Sequence, residues 1–240
     1  MQSETVAIDG HRFHCLTAGD SGAPLLLFLH GFPEFSGAWR GVMARLRDRF
    51  FCVAPDQRGY GQSWRPEEVE YYAAAHLVRD MAAVIAHFGG HVRAVVAHDW
   101  GAAVGYALAM RRPDLMDRLG VLNGVHPAPF QAALATGGTQ SEASQYIDWL
   151  RRPGSEAVLA ADAYAKLMTL FGDGMDLNWL TPELRSEYED AWDGEAGLRG
   201  MVNWYRASPL QVAVPGVPIP GEALPKMDPA RLSVSVPHLL

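Results

Sequence analysis

The chain has 240 residues, of which 49% are hydrophobic and 20% are charged. This composition is typical of a globular protein with a sizeable core, and it excludes disorder, collagen and a coiled coil. The 20 basic and 27 acidic residues give a net charge of −7. Because they form no basic stripe, nucleic acid and anionic membranes are not expected partners. The longest apolar run, residues 24–29, is too short to cross a bilayer.

The start of the chain lacks the basic and apolar regions of a signal peptide. Its two cysteines, Cys15 and Cys52, are too few for a disulfide framework, and we interpret both as small buried residues in a reducing compartment. We therefore expect a cytoplasmic protein. A homodimer is compatible with the sequence, which does not decide the oligomeric state.

Short β-rich runs alternate with helical patterns in the first half of the chain, which predicts parallel βαβ units. A hairpin is expected to turn at Asp9-Gly10, between strands over 5–8 and 12–17. Periodicity predicts further strands over 24–30, 50–54, 92–98 and 118–123, and helices over 36–48, 72–88 and 101–112.

The second half shows helical patterns over 142–151, 155–171, 182–192 and 195–206, without a strand pattern. Thr181 is the expected N-cap of the third helix, because Pro182 follows it. A proline-rich return loop over 208–229 then leads to a strand over 234–240. The predicted organisation is a core segment over 1–127, an inserted helical cap over 128–214, and a return loop with the start of the seventh core strand over 215–240.

The strongest chemical signal is Asp99, in the segment AHDWGA at 97–102 between a predicted strand and a predicted helix. Small residues around it permit a sharp turn that would hold its side chain over the sheet edge, as in a nucleophile elbow. An aspartate there attacks an sp³ carbon and forms an alkyl ester, which suits epoxide opening or halide displacement. On this segment alone, a helix N-cap is an equally good interpretation of Asp99.

A second signal is the segment HGFP at 30–33, directly after a buried strand. Ester hydrolysis needs N–H donors aimed at the developing oxyanion, and such a loop can supply one. The donors would be the backbone N–H groups of Phe32 and Trp100. A plain turn is the alternative, and we interpret the third segment, DQRGYGQS at 56–63, as structural.

Together these segments resemble the α/β-hydrolase superfamily, and within it the epoxide hydrolase branch, which is related to the haloalkane and haloacetate dehalogenases. HGFPE at 30–34, DQRGYGQS at 56–63 and HDWG at 98–101 match the epoxide hydrolase pattern, and NGVHP at 123–127 is similar to the family's segment before the cap. The resemblance implies an α/β fold with a mostly parallel sheet and a helical cap inserted after the sixth strand. It implies no cofactor.

The family keeps histidines in these motifs that are not the catalytic base. The resemblance therefore implies supporting roles for the residues around the nucleophile and the oxyanion donor: His30, Gly31, Pro33, His98 and His126. We interpret the other histidines, His14 among them, as superficial or structural. No cluster of potential ligands has metal-binding spacing, so no metal site is expected.

Opening an epoxide generates an alkoxide, which a neutral tyrosine can protonate. Epoxide hydrolases carry two cap tyrosines for this purpose, and Tyr146 and Tyr205 look like them. The segment NWYR at 203–206 is the more specific match. Alternatively, each tyrosine packs the seam between cap and core. The resemblance thus predicts a small apolar epoxide as substrate.

A halogenated substrate is the alternative within the same superfamily. A haloalkane dehalogenase needs two N–H donors for the departing halide; the Trp100 indole is one candidate, but Phe32 stands where an asparagine often supplies the second. A cap tryptophan is a candidate replacement (Trp149, Trp179, Trp192 or Trp204). Trp100 also disfavours a haloacetate dehalogenase, which carries arginine after the nucleophile.

The family's catalytic histidine follows the eighth strand, and its acid usually follows the seventh. The resemblance places both beyond residue 240, in a further part of the fold with roughly two strands and two helices, about 40–60 residues. His238 and His126 are weak candidates for a substitute base. The alternative from a different functional class is therefore an α/β-hydrolase-like binding protein that traps ligands without turnover.

Overall fold

The computed structural model describes residues 1–172, 174–225 and 228–240. These residues form a seven-stranded sheet in the order β1-β2-β4-β3-β5-β6-β7. The strands are β1 (Gln2–Ile8), β2 (His11–Ala18), β3 (Leu25–Leu29), β4 (Phe51–Pro55), β5 (Ala94–His98), β6 (Leu119–Leu122) and β7 (His238–Leu239). The pairs β1/β2 and β2/β4 are antiparallel, and the other pairs are parallel. The predicted α/β fold with a mostly parallel sheet is confirmed.

The first hairpin turns where the sequence predicted. Asp9 and Gly10 both have positive φ, and Ile8 pairs with His11 across the turn. This geometry is that of a tight two-residue hairpin, in which glycine and aspartate tolerate the left-handed region best. The strands extend further than predicted because β1 continues to Gln2 along the edge of β2.

Helices cover the central strands, so that β3 and β4 are buried along their whole length. The covering helices are α1 (Arg40–Leu46), α2 (Ala74–His87) and α3 (Trp100–Arg111). The helix predicted over 36–48 is instead a short 3₁₀ turn, Ser36–Trp39, followed by α1. Ser36 and Trp39 of that turn are buried against the sheet, which favours the tighter winding there.

Between β6 and β7 the chain forms helices α4 (Pro127–Leu134), α5 (Thr139–Ala143), α6 (Gln145–Leu150), α7 (Ser155–Gly172), α8 (Pro182–Trp192) and α9 (Gly194–Ala207). Thr181 caps α8 as predicted, since its hydroxyl accepts the N–H of Leu184 at 3.3 Å. Helix α7 is interrupted at 161–164, where three consecutive residues have positive φ. The prediction of one continuous helix over 155–171 is wrong at this point.

The return to the sheet ends in β7, which pairs with β6 in parallel register, Leu119 opposite His238. The strand predicted over 234–240 is thus present but shorter. Asp173 of the predicted cap, and Lys226 and Met227 of the predicted return loop, lie outside the described residues. None of the helices in the described ranges is both long enough and apolar enough to span a membrane.

Candidate active site

Asp99 lies at the turn between β5 and α3, with φ 49° and ψ −119°. A non-glycine residue in this region is strained, and such strain is concentrated at functional sites. The Asp99 carboxylate makes no capping hydrogen bond to α3. The structure therefore shows the elbow geometry: Asp99 occupies the N-cap position of α3, but capping does not account for its carboxylate.

Two glycines allow the strand ends to approach this turn closely. A Cβ atom on Gly31 would lie 2.3 Å from the Cβ of Asp99, and a Cβ on Gly101 would lie 2.3 Å from the carbonyl oxygen of Leu29. Both distances are far below a van der Waals contact. Only glycine at these positions lets the loop after β3 reach the carboxylate.

The backbone N–H of Phe32 donates a hydrogen bond to Oδ1 of Asp99 at 2.9 Å. Burial raises the pKa of Asp99 above its ordinary value, although the N–H groups of Phe32 and Trp100 stabilise the charged form. The carboxylate is thus poorly hydrated, and one of its oxygens is held by the backbone. This leaves the other oxygen as the one that can react with a ligand.

The two tyrosines singled out from the sequence meet beside this turn. The ring of Tyr205 lies edge-on to Trp100 at 5.1 Å, to Phe32 at 5.4 Å and to Tyr146 at 6.2 Å between ring centroids. These spacings are those of favourable aromatic contacts. Four residues that are far apart in the sequence therefore form one aromatic wall around Asp99.

Both tyrosines are neutral at physiological pH. Tyr205 is buried, and burial together with the charge of Asp99 raises its pKa well above the ordinary value. Tyr146 keeps 39% of its surface exposed; the partial burial of its ring and the charge of Asp99 raise its pKa to about 12. Each hydroxyl therefore carries the proton that a developing alkoxide needs.

The loop that carries Phe32 is held by hydrogen bonds to two other parts of the chain, the segment after β4 and helix α8. His30 is buried, with Nδ1 at 3.1 Å from the carbonyl of Gly31 and Nε2 accepting the N–H of Gln57 at 3.2 Å. Burial lowers the pKa of His30, so the ring is neutral. The carbonyl of Pro33 accepts the indole N–H of Trp192 at 2.7 Å. These bonds fix the loop between β3 and helix α8.

His98 contacts a residue to which the sequence assigned no role. Its Nδ1 lies 3.1 Å from Oε2 of Glu34, and this hydrogen bond raises the pKa of His98. The hydroxyl of Tyr188 donates to the other oxygen of Glu34 at 3.3 Å. The one available signal was the place of Glu34 in the HGFPE segment.

The two candidates for a substitute base, His126 and His238, have different surroundings. The Nδ1 atom of His126 accepts the N–H of Ala128 at 3.2 Å, and its Nε2 lies 2.9 Å from the carbonyl of Leu232. Both ring nitrogens are thus used by the backbone. His238 lies within β7, and its side chain is exposed.

Two of the tryptophans considered as halide donors are already bonded. Trp192 donates to Pro33, and Trp204 donates its indole N–H to the carbonyl of Arg58 at 2.9 Å. A halide could use the indole of Trp192 or of Trp204 only if that buried hydrogen bond were broken. Within the described residues, no group of three or more His, Cys, Asp or Glu side chains is arranged to hold a metal ion.

The family model described as the alpha/beta hydrolase fold matches residues 24–168. The chain belongs to the α/β-hydrolase family. It is 34% identical to the AB hydrolase superfamily protein YfhM of Bacillus subtilis (strain 168), over 86% of this chain and 73% of that protein.

Epoxide hydrolases are among the similar proteins. Epoxide hydrolase 1 of Caenorhabditis elegans is 31% identical, over 81% of this chain and 50% of its own length. A solved structure from a study of epoxide hydrolases in metagenomes from hot environments superimposes with a TM-score of 0.87 at 34% identity, covering 99% of this chain and 80% of that one. The resemblance inferred from the motifs is confirmed. The chain spans only about half the length of the nematode enzyme.

Proposed function

We propose that the chain opens small apolar epoxides through an alkyl ester on Asp99. The observation that carries this proposal is the hydrogen bond from the Phe32 N–H to Oδ1 of Asp99, beside the ring of Tyr205. It holds one carboxylate oxygen in place and leaves the other free to attack. The raised pKa of Asp99 reflects the poor hydration that makes a carboxylate a better nucleophile.

In the first step, the free oxygen of Asp99 attacks an epoxide carbon and the carbon–oxygen bond of the ring breaks. The departing oxygen takes a proton from Tyr146 or Tyr205, and solvent returns that proton to the phenolate. The product is a hydroxyalkyl ester of Asp99. The aromatic wall of Phe32, Trp100 and Tyr205 favours an apolar substituent on the epoxide.

In the second step, water attacks the ester carbon and the negative charge develops on Oδ1. That atom already accepts the N–H of Phe32, so the donor is in place before the charge forms. The bond between the ester carbon and the alcohol oxygen breaks, one proton of the water passes to that oxygen and the other to solvent, and the diol leaves the restored Asp99 carboxylate. We assign this step to neither His126 nor His238, because both ring nitrogens of His126 are bonded to the backbone and His238 is exposed within β7.

The experiment is to incubate the chain with styrene oxide and to weigh the intact protein. We expect a gain equal to the whole epoxide, located on Asp99 by peptide mapping and absent in Asp99→Asn. Asp114→Asn, which changes an exposed aspartate, is the matched control and should form the adduct normally.

Other outcomes would point to the alternatives. Release of bromide from a bromoalkane without reaction of the epoxide would favour a dehalogenase. A chain that binds styrene oxide, forms no adduct and releases no diol would be a binding protein, and the proposed function would be wrong.

A further inference from the structure

A serine, a histidine and an aspartate lie close together on the antiparallel strands of the sheet, away from Asp99. Three neighbouring strands place Ser3, His14 and Asp56 in a row. Ser3 pairs with Leu16 of β2, so His14 lies two residues away on the same face of the sheet. Asp56 directly follows β4, and its N–H donates to the carbonyl of His14 at 2.8 Å.

The hydrogen bonds in this row have a definite direction. Nδ1 of His14 lies 2.9 Å from Oδ2 of Asp56, and Nε2 lies 3.2 Å from the hydroxyl oxygen of Ser3. A carboxylate only accepts, so Nδ1 carries a hydrogen, and in the neutral form of the ring Nε2 then carries a lone pair. In that form the Ser3 hydroxyl donates to Nε2 of His14. The hydrogen bonds thus run in the same direction as in a catalytic triad, from a serine nucleophile to a histidine base and from that base to an orienting acid.

Asp56 is built to stay charged and fixed. Its Oδ1 accepts the N–H of Ser36 at 2.9 Å, and its Oδ2 accepts the N–H of Gln62 at 3.0 Å. Burial raises the pKa of Asp56, but the hydrogen bonds from His14, Ser36 and Gln62 outweigh it, and the net pKa is lowered. The carboxylate can thus orient His14 and stabilise its charged form.

The row opens on a groove of about 400 Å³ between the sheet and helix α8. Ser3 is exposed, so a ligand in the groove can reach its hydroxyl. Three carboxylates line the groove (Asp56, Glu187 and Asp190), against one arginine, Arg40, which is paired with Glu187. This excess of negative charge favours neutral or cationic ligands and disfavours anionic ones.

We propose that Ser3 is a second nucleophile, which is acylated by small uncharged or cationic carboxylic esters. The hydroxyl oxygen of Ser3 attacks the ester carbonyl while Nε2 of His14 takes its proton. The bond to the alcohol then breaks, the proton passes from His14 to the leaving oxygen, and an acyl-serine remains. Water hydrolyses that ester to the carboxylic acid and restores Ser3. This reaction uses no residue of the Asp99 site.

The test uses the full chain with p-nitrophenyl acetate, following nitrophenolate release and the intact mass. We expect an acetyl group on Ser3 by peptide mapping, and release at least about tenfold slower in Ser3→Ala. Ser21→Ala, at another exposed serine, is the matched control and should react like the parent chain. A chain without acetyl-Ser3, or with release unchanged by Ser3→Ala, would overturn the proposal.

Two further measurements separate this site from the proposed epoxide site and from a merely structural role. Asp99→Asn should keep the acylation of Ser3, and Ser3→Ala should keep the epoxide adduct on Asp99. His14→Gln should lose acylation while circular dichroism shows a folded chain. If folded His14→Gln acetylates Ser3 at the parent rate, His14 is not the base and the proposal is wrong.

An anionic ester, mono-p-nitrophenyl succinate, should react more slowly than the acetate; equal or faster reaction would contradict the proposed selectivity.

Discussion

The indole N–H of Trp192 donates to the carbonyl oxygen of Pro33 across 2.7 Å, and both groups are buried. This single bond joins helix α8 to the loop that carries the Phe32 N–H. It is a contact between residues far apart in the sequence, and it bears directly on how rigidly that donor is held.

The hydrogen bond between Trp192 and Pro33 should stabilise the folded protein. Trp192→Phe leaves the Pro33 carbonyl buried without its donor and removes part of a buried ring. The free energy of unfolding should therefore fall by about 1–3 kcal/mol. Trp179→Phe is the matched control. Because Trp179 is 44% exposed, this substitution should lower the free energy of unfolding by less. Urea unfolding of the three proteins measures the difference. Equal midpoints for the two variants would show that the Trp192 bond adds no stability.

The close approach of the loop after β3 to Asp99 can be tested by a substitution at Gly31. In Gly31→Ala the new methyl group would meet the Asp99 side chain at 2.3 Å, so we expect the rate of adduct formation with styrene oxide to fall at least about 100-fold. Gly41→Ala is the matched control, since a Cβ there meets nothing within 4 Å. An unchanged rate in folded Gly31→Ala would mean that the loop moves freely away from Asp99.

The two tyrosines should contribute to ring opening by donating protons. Tyr205→Phe and Tyr146→Phe are each expected to slow adduct formation by about 100-fold, the usual range for one general acid. Tyr71→Phe, at an exposed tyrosine outside the aromatic wall, is the control. Stopped-flow single-turnover rates provide the measurement. If both variants react at the parent rate, the tyrosines only pack the seam.

The pH dependence of adduct formation follows from the raised pKa of Asp99. The reactive form is the carboxylate, so the rate should fall as the pH drops through that pKa, and the fall should begin at a higher pH than for an ordinary aspartate, about 3.9. Toward alkaline pH the rate should stay level through pH 9, since the pKa of Tyr146 is about 12. A rate that is constant down to pH 4 would contradict a raised pKa.

A buried ion pair below the site should be critical for stability. The guanidinium of Arg58 donates two hydrogen bonds of 2.7 Å to the Asp80 carboxylate, and both side chains are 1% exposed. Asp80→Asn leaves the arginine charge uncompensated and should cost about 3–5 kcal/mol. Arg79→Gln, which removes the exposed pair with Asp9, should change stability by at most about 1 kcal/mol. Thermal unfolding distinguishes the two.

Local patterns predicted most of the sheet and the elbow. The apolar run that became β3 and the small residues around Asp99 each encode their structure within a few positions. Helix α4 was missed because Pro127 and Pro129 resemble a loop, although proline is tolerated in a first helical turn. The break in α7 was missed because it depends on a distant contact, in which the Tyr164 hydroxyl accepts the N–H of Gly194.

Contacts between distant segments were the part of the site that the sequence did not reveal. Tyr188 and Glu34 are separated by 154 positions, and no periodicity relates them. The same holds for the row of Ser3, His14 and Asp56, which exists only because β2 lies between β1 and β4. His14 was interpreted as superficial or structural because its neighbours in the sequence carry no motif.

Helix α9 also bears on how a substrate reaches Asp99. Trp204 is bonded to the Arg58 carbonyl, and the next residue, Tyr205, is only 3% exposed. Moving this helix outward would break that buried bond and displace Tyr205, the proposed proton donor. Tyr146, with 39% of its surface exposed, is the freer of the two tyrosines. We therefore expect the entrance to lie on the α6 side, so that substitutions near Tyr146 alter access while α9 stays fixed.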